Sequence, residues 1–421
     1  MKIRGSLYTA IKAIGRDGRA NVAVTFALAL IPIVGFVGVA IDYSLASRQR
    51  AKFQSALDGA LLAGSIAGKA ALDSGSGTSA AIDAAKSAAN AFFAGNTIGI
   101  TSQLAVDYTM RGLTLTGSGT ATGALPTNFS TVLGFSNLNV SVVSTSSSNT
   151  QPYVDVYLLI DISSSMLLPS TPAGITQMVN GTGCALACHE TTDGKDSYSY
   201  ALNQGIQLRY QVVNQGIQNL LTYLNGNSAY KHYVKVGLWS FDSSLTKNSP
   251  PTSNFTVLAN KFPAPALASD DAAAATPFDN LISDFVSTVG TAGDGSSSGH
   301  PQKMVIIATD GVNDPTRAWT TQTSLRSQVK AFDTSFCNSF KANGVTVAII
   351  NTPYYPMPWD WGYAATLGQP GSLGGATRVD DIPIALKACA GNNFILAPDV
   401  ATIQSGFTEL FNKASPLRLT N

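Results

Sequence analysis

Residues 154–165 read VDVYLLIDISSS. Val154–Ile160 is a short, almost unbroken apolar run, as a parallel strand covered on both faces requires. It ends in Asp161-x-Ser163-x-Ser165. Residues 304–311, MVIIATDG, repeat the design: apolar Met304–Ala308, then Thr309-Asp310-Gly311. Outward from these two runs the chain alternates strand and helix patterns. A helix is expected over Leu208–Leu224, with Val213, Ile217, Leu220 and Leu224 on one face. Strand Val234–Phe241, a helix opening near Thr276-Pro277 and strand Met304–Ala308 follow. A helix around Leu325–Lys341 carries a Phe332, Phe336, Phe340 stripe. Strand Val345–Ile350, helix Ile382–Cys389, strand Asn393–Leu396 and helix Ala401–Asn412 complete the set. This alternation predicts an α/β fold, a mostly parallel sheet with helices on both faces, over residues 152–421.

Parallel sheets of this kind bind ligands beyond the carboxyl ends of their strands. Asp161, Ser163, Ser165 and Asp310 stand at such ends, and Thr276 opens a helix between them. Two carboxylates with three hydroxyls form a hard-oxygen set. Mg2+ takes oxygen ligands at about 2.0–2.1 Å and keeps several waters, so few carboxylates and neutral hydroxyls suit it. The bland alternative is that these residues only cap loops and helices.

In this order, these motifs resemble the metal-ion-dependent adhesion site of von Willebrand factor type A domains. The resemblance implies a Rossmann-like fold and a Mg2+ site, or one for Mn2+ or Ca2+, held by Asp161, Ser163, Ser165, Thr276 and Asp310. It also implies that an acidic group of a protein ligand completes the coordination. The threonine of such domains follows glycines, whereas Ala272–Ala275 precede Thr276 here. Two stretches exceed a minimal domain of this type, near residues 167–199 and 353–378.

The other end of the chain has a different character. Residues 20–41, ANVAVTFALALIPIVGFVGVAI, carry no charge. As a helix they rise ~33 Å, enough for a hydrocarbon core of about 30 Å. Lys2, Arg4, Lys12, Arg16 and Arg19 precede them against one acid, Asp17. A basic leader over residues 1–19 in the cytoplasm, a membrane helix over 20–43 and everything beyond it outside the cytoplasm are expected. A cleaved secretory signal would have a shorter apolar region. Phe53, Leu57 and Leu61 continue the helical period toward Asp73-Ser-Gly-Ser-Gly77, and a second helix is expected over Ser79–Phe93. Leu113 and Leu115, then Leu138, Val140 and Val142, alternate as half-buried strands do. Residues 144–151, STSSSNTQ, read as a linker.

The apolar span after a basic leader, followed by RQRAKFQSALDGALLAGS, resembles the TadE/TadG-type proteins of tight-adherence (Flp) pilus assembly. The resemblance implies a pilin-like helix and small β region over residues 44–150, and pilus-assembly proteins or pilin as partners. It places the protein in the inner membrane, single-pass, with the second domain in the periplasm or reaching the cell surface. Type A domains also occur in the TadG branch. Processed pilins carry a glutamate a few residues into the apolar helix; here none precedes Glu190.

Composition agrees with export. Of 421 residues, 45% are hydrophobic, which allows a sizeable core, and only 12% are charged. The formal net charge of +1 offers no basic footprint for nucleic acid. Cys184-x-x-x-Cys188-His189 is one residue too long for covalent haem attachment and lacks a fourth zinc ligand at a recognised spacing. Disulfides Cys184–Cys188 and Cys337–Cys389 are the preferred pairing among three. His232 and His300 stand alone, and Ser163 has no neighbouring base, so no catalytic constellation emerges and no enzyme is expected. The leading expectation is a membrane-anchored pilus-assembly or adhesion protein; the alternative is a scaffold or minor pilin-like subunit with a vestigial metal site. The aromatic stretch 353–378 is either a contact surface or a cluster packed under a long loop.

Overall fold

The computed structural model describes residues 18–98, 101–185, 197–265 and 275–414. The expected basic leader, Cys188 and His189, and most of the Ala272–Ala275 run fall outside these residues. The chain divides into two compact units, residues 1–150 and 151–421.

The first unit begins with α1 (Gly18–Asp73), a helix of 56 residues that carries Pro32 within it. It is long and apolar enough to cross a membrane. Phe26, Ile31, Val34 and Phe36 of its first half are exposed, whereas Phe53, Leu57 and Leu61 are buried. These three meet α2 (Thr78–Asn96), which buries Ala85, Ala89 and Phe93. Beyond them lies an antiparallel meander, β1 (Thr101–Arg111), β2 (Thr114–Pro126) and β3 (Asn137–Asn149). Tyr108, Leu115, Ala121, Val140 and Val142 point from the sheet into this core.

Two sequence expectations change here. Leu113 lies in the turn between β1 and β2, not in a strand. Residues 144–149 form no linker: they are the second half of β3, paired with Thr114–Gly119 of β2. Serine and threonine on the solvent side, with few apolar partners, had the composition of a loop. The backbone ladder decides otherwise.

Small residues allow the two helices to close on each other. A Cβ on Gly64 would lie 2.0 Å from the Tyr108 hydroxyl and 2.7 Å from the carbonyl oxygen of Ala85. That tyrosine hydroxyl donates to Leu61 O at 2.8 Å. The Ala85 carbonyl belongs to a helix backbone and cannot step aside as a side-chain tip can. Gly64→Val should therefore cost about 1–3 kcal/mol or more, read as a lower urea midpoint and faster proteolysis within residues 44–150. An unchanged midpoint would mean the helices separate freely.

The second unit is built on a six-stranded sheet of order β11-β10-β7-β4-β5-β6. The strands are β4 (Val154–Asp161), β5 (Val234–Phe241), β6 (Leu245–Thr252), β7 (Gln302–Thr309), β10 (Thr346–Asn351) and β11 (Phe394–Leu396). All pairings are parallel except that of edge strand β6, so the sheet is mixed. A separate two-residue ladder joins β8 (Val312–Asn313) and β9 (Lys330–Ala331). Alternate residues serve opposite faces. Leu159, Phe241, Val305, Ile307 and Ile349 pack under α3 (Pro172–Thr182), α4 (Ser197–Gln204), α8 (Phe278–Val289), α9 (Phe336–Ala342) and α11 (Arg378–Ala390). Leu158, Ile160, Leu238, Ile306 and Ile350 pack under α5 (Arg209–Asn225), α7 (Phe255–Ala259) and α12 (Val400–Ala414). Short helices α6 (Ser228–Tyr233) and α10 (Trp361–Ala365) complete the unit.

The helix expected over Leu325–Lys341 is shorter. Residues 323–328 form a 3-10 turn, Lys330–Ala331 pair with β8, and only Phe336–Ala342 is α-helical. The ladder uses backbone groups that a helix would need, and Asp333 forms a turn just before the restart by accepting from Ser335 N at 2.9 Å. Phe332, Phe336 and Phe340 are nevertheless all buried. Cys337 and Cys389 form a disulfide, with Cα atoms 5.6 Å apart. Cys184 is also disulfide-bonded; its expected partner, Cys188, lies outside the described residues. The 353–378 stretch divides: Tyr354, Met357 and Tyr363 join the core, while Trp359 and Trp361 are exposed.

Candidate functional site

The chain leaves β4 toward β5 and later returns to β7 on the other side of β4. The carboxyl end of β4 is therefore the place where connections diverge and a crevice opens. Asp161 is the last residue of β4, and Asp310 directly follows β7. Both are buried. Gly311 makes the turn after Asp310 possible: its φ is +82°, and a Cβ there would lie 2.6 Å from Ile382.

Asp161 is held on both oxygens. Its Oδ1 accepts from Ser163 N at 3.0 Å and Ser163 Oγ at 2.5 Å. Its Oδ2 accepts from Thr309 Oγ1 at 2.7 Å. The Ser163 and Ser165 hydroxyls lie 3.0 Å apart. Asp310 Oδ1 accepts from Val312 N at 3.1 Å. Asn351, at the tip of β10, donates to the carbonyls of Thr309 and Asp310 at 3.2 and 3.1 Å and so fixes the loop. The structure thus brings Asp161, Ser163, Ser165 and Asp310 together. Thr276 is buried nearby, its backbone paired with that of Asp314 at 2.6 and 3.0 Å. Among the described residues its hydroxyl makes no hydrogen bond to the other four.

Three participants were not assigned from sequence. Thr309 stands beside Asp310 and locks Asp161. Arg209, in the first turn of α5, places its Nη1 3.6 Å from Asp310 Oδ2, with both side chains 1% exposed. Its Nη2 donates to Pro353 O at 2.7 Å, and its guanidinium lies 4.5 Å from the centre of the Tyr354 ring. Arg209 sits four residues before Val213 on the buried stripe of α5, and a charge on that stripe was the available signal. Tyr354 was part of the aromatic stretch, with nothing to mark it as the residue facing the site.

Burial and the neighbouring Asp310 charge push the Asp161 carboxyl up to about 7, against the hydrogen bonds of Ser163 and Thr309. Burial also raises Asp310; Arg209 pulls it back, with lesser help from Ser165. Nearby Asp314 is raised by burial to about 6, partly offset by Trp319, whose Nε1 donates to it at 2.9 Å.

The oxygen set fits a small divalent cation in chemistry. Among the described residues Asp310 Oδ2 is buried without a hydrogen-bond partner, and Arg209 Nη1 stands 3.6 Å from it, beyond hydrogen-bond length. Two carboxylates and one guanidinium leave one negative charge, which a divalent ion would convert to one positive. Among the described residues no group of three or more His, Cys, Asp or Glu gathers for a metal, so any ion here relies on hydroxyls.

Residues 20–89 match the family described as putative Flp pilus-assembly TadE/G-like. No curated relative matches the chain by sequence. Among solved structures it is similar to the conserved hypothetical protein BatB from Bacteroides thetaiotaomicron, at 15% identity over 63% of this chain and 100% of that one, TM-score 0.34. It is similar to the vWF domain of the type V pili tip protein Mfa5 from Porphyromonas gingivalis, at 12% identity over 65% and 99%, TM-score 0.33. The PilB minor pilin from Streptococcus sanguinis aligns at 11% identity over 75% and 78%, TM-score 0.34.

Proposed function

We propose that this protein is a pilus-assembly or surface-adhesion component anchored by α1. In this reading residues 44–150 form a pilin-like stalk and the second unit is a von Willebrand factor type A domain working in the periplasm or at the cell surface. Its task is binding, not turnover. Asp161, Ser163, Ser165, Thr276 and Asp310 would hold Mg2+, Mn2+ or Ca2+, and the ion would supply a positively charged position for a carboxylate of a protein partner, such as another pilus-assembly protein or pilin. The family match over the apolar helix supports the pilus assignment. The disulfide Cys337–Cys389 supports an oxidising compartment.

The observation that carries the metal reading is the buried, hydrogen-bond-free Asp310 Oδ2 beside the Asp161, Ser163 and Ser165 oxygens. Calorimetric titration of the detergent-solubilised full chain with Mg2+ and Mn2+ tests it. Wild type should bind, and Asp161→Ala should not while remaining folded, because removing a buried carboxylate whose charge is disfavoured by burial and by Asp310 offsets the lost hydrogen bonds to Ser163 and Thr309. Equal binding by both, or none by either at millimolar ion, would favour the second reading: a scaffold or minor pilin-like subunit with a vestigial site. The Arg209–Asp310 pair is the observation that favours that alternative, since a built-in cation then replaces the metal.

A further inference from the structure

The uncharged stretch of α1 ends at Ile41, and Asp42 is the first ionisable group after it. Asp42 does not reach into solvent; it is 4% exposed. Its carboxylate accepts from Asn128 N at 3.0 Å, Phe129 N at 2.9 Å, Ser130 N at 2.6 Å and Ser130 Oγ at 2.7 Å. The loop between β2 and β3 is thereby fixed to the helix where the apolar span ends. The loop also closes on itself, through Thr127 N to Ser136 O at 3.1 Å and Phe135 N to Ser130 O at 3.0 Å. On the membrane-proximal side of Asp42 the approach is tighter still: a Cβ on Gly38 would lie 2.7 Å from Phe129 Cβ. Gly38 lies four residues before Asp42, ~6 Å along the helix toward the span.

That places an ordered loop at the depth of the last apolar turn; of its two aromatic rings, Phe129 leans partly on Gly38 and both keep large open faces. Phe129 is 49% exposed and Phe135 62%. Val34, Val37 and Ile41 of the span and Tyr43 beyond it are exposed as well. The loop thus adds exposed apolar rings at the level where the apolar helix ends, and phenylalanine is among the residues that interfacial segments bury at the headgroup boundary.

We propose that the loop 127–136 is a second membrane contact, with Phe129 and Phe135 seated in the lipid of the bilayer that α1 crosses. Asp42 makes this contact compatible with its own charge, since three backbone N–H groups and a hydroxyl cover the carboxylate that would otherwise face the headgroup boundary. The stalk then leaves the membrane with a fixed tilt and rotation, held at two points and not swivelling on one helix. This inference rests on the anchor reading of α1.

Photocrosslinking of the full chain in its native membrane tests it, with p-benzoylphenylalanine placed singly at Phe26, Phe129, Phe135 and Val143. Phe26 is 65% exposed within the span and reports the anchor itself. Val143 is 68% exposed on β3, level with Gln54, whose side chain donates to its carbonyl; it lies ~18 Å beyond Asp42 along the helix. Phospholipid adducts are expected at Phe26, Phe129 and Phe135 and not at Val143. Adducts at Phe26 alone would overturn the loop contact and leave the anchor standing. No lipid adduct at Phe26 would remove the anchor reading and this inference together. Protein adducts replacing lipid at Phe129 and Phe135, or lipid yields at Val143 equal to theirs, would also overturn it.

Discussion

Arg209→Met is expected to lower the stability of the second unit by about 3–5 kcal/mol in chelator-treated buffer, the cost of breaking a buried pair from one side. Both partners are 1% exposed, so solvent does little to soften the loss. The variant leaves Asp310 beside Asp161 with no counter-charge, and it removes the donor to Pro353 O and the cation over the Tyr354 ring. Methionine fills much of the space, so the deficit reports charge more than cavity. Divalent ion should restore part of it. A ligand bound only by the folded state adds about 2.7 kcal/mol at a hundred times its dissociation constant, and removing the competing guanidinium should make that gain larger in the variant than in wild type. Urea unfolding with EDTA and with millimolar Mg2+, for both proteins, gives four midpoints. Equal midpoints for both proteins in EDTA would show that the pair does not support the fold. A deficit that Mg2+ leaves untouched would show that no ion reaches Asp310.

Loss of the Cys337–Cys389 bridge should have an effect of similar size. The bridge spans 52 residues between α9 and α11. In the chain-entropy account, closing a loop of that length destabilises the unfolded chain by about 4 kcal/mol. Both sulfurs are buried, so the paired Cys337→Ala, Cys389→Ala replacement removes the link with little change in exposed surface. The double variant should unfold at lower urea, and α11 should lose hydrogen-exchange protection first, because the bridge ties it to α9. Reduction should lower the wild-type midpoint at least as far, since it opens the Cys184 bridge as well. Indistinguishable midpoints in oxidised wild type and variant would mean that the unfolded chain is already constrained elsewhere.

The two halves of the candidate site differed in how much the sequence could disclose. β4 and β7 are buried on both faces, so each is a nearly unbroken apolar run, and the polar residues that end them stand out. Asp161, Ser163, Ser165 and Asp310 were visible for that reason. Arg209 and Tyr354 reach the same place from segments remote in the chain, and only the three-dimensional path of α5 and the 353–378 stretch brings them there. Thr309 was read as part of the Thr-Asp-Gly turn after the strand, and only the fold shows its hydroxyl reaching Asp161. The first unit shows the opposite limit. β2 and the end of β3 present serine and threonine outward, a composition that loops share, and the pairing that makes them strands is non-local. Between residues 325 and 335 a phenylalanine spacing of four suggested a helix, but burial at that spacing does not require one, and a two-residue ladder took the backbone instead.

The margins of the six-stranded sheet carry a consequence for life in a crowded envelope. One margin is β6, LTKNSPPT, where Pro250 and Pro251 offer no N–H and the register to β5 is irregular. The other is β11, three residues long. Prolines and short edge strands are poor templates for a further strand. Neighbouring copies confined to a plane at high local density therefore meet without a ready route to zip their sheets together, and any ordered array they build must be written in side chains, where it remains reversible.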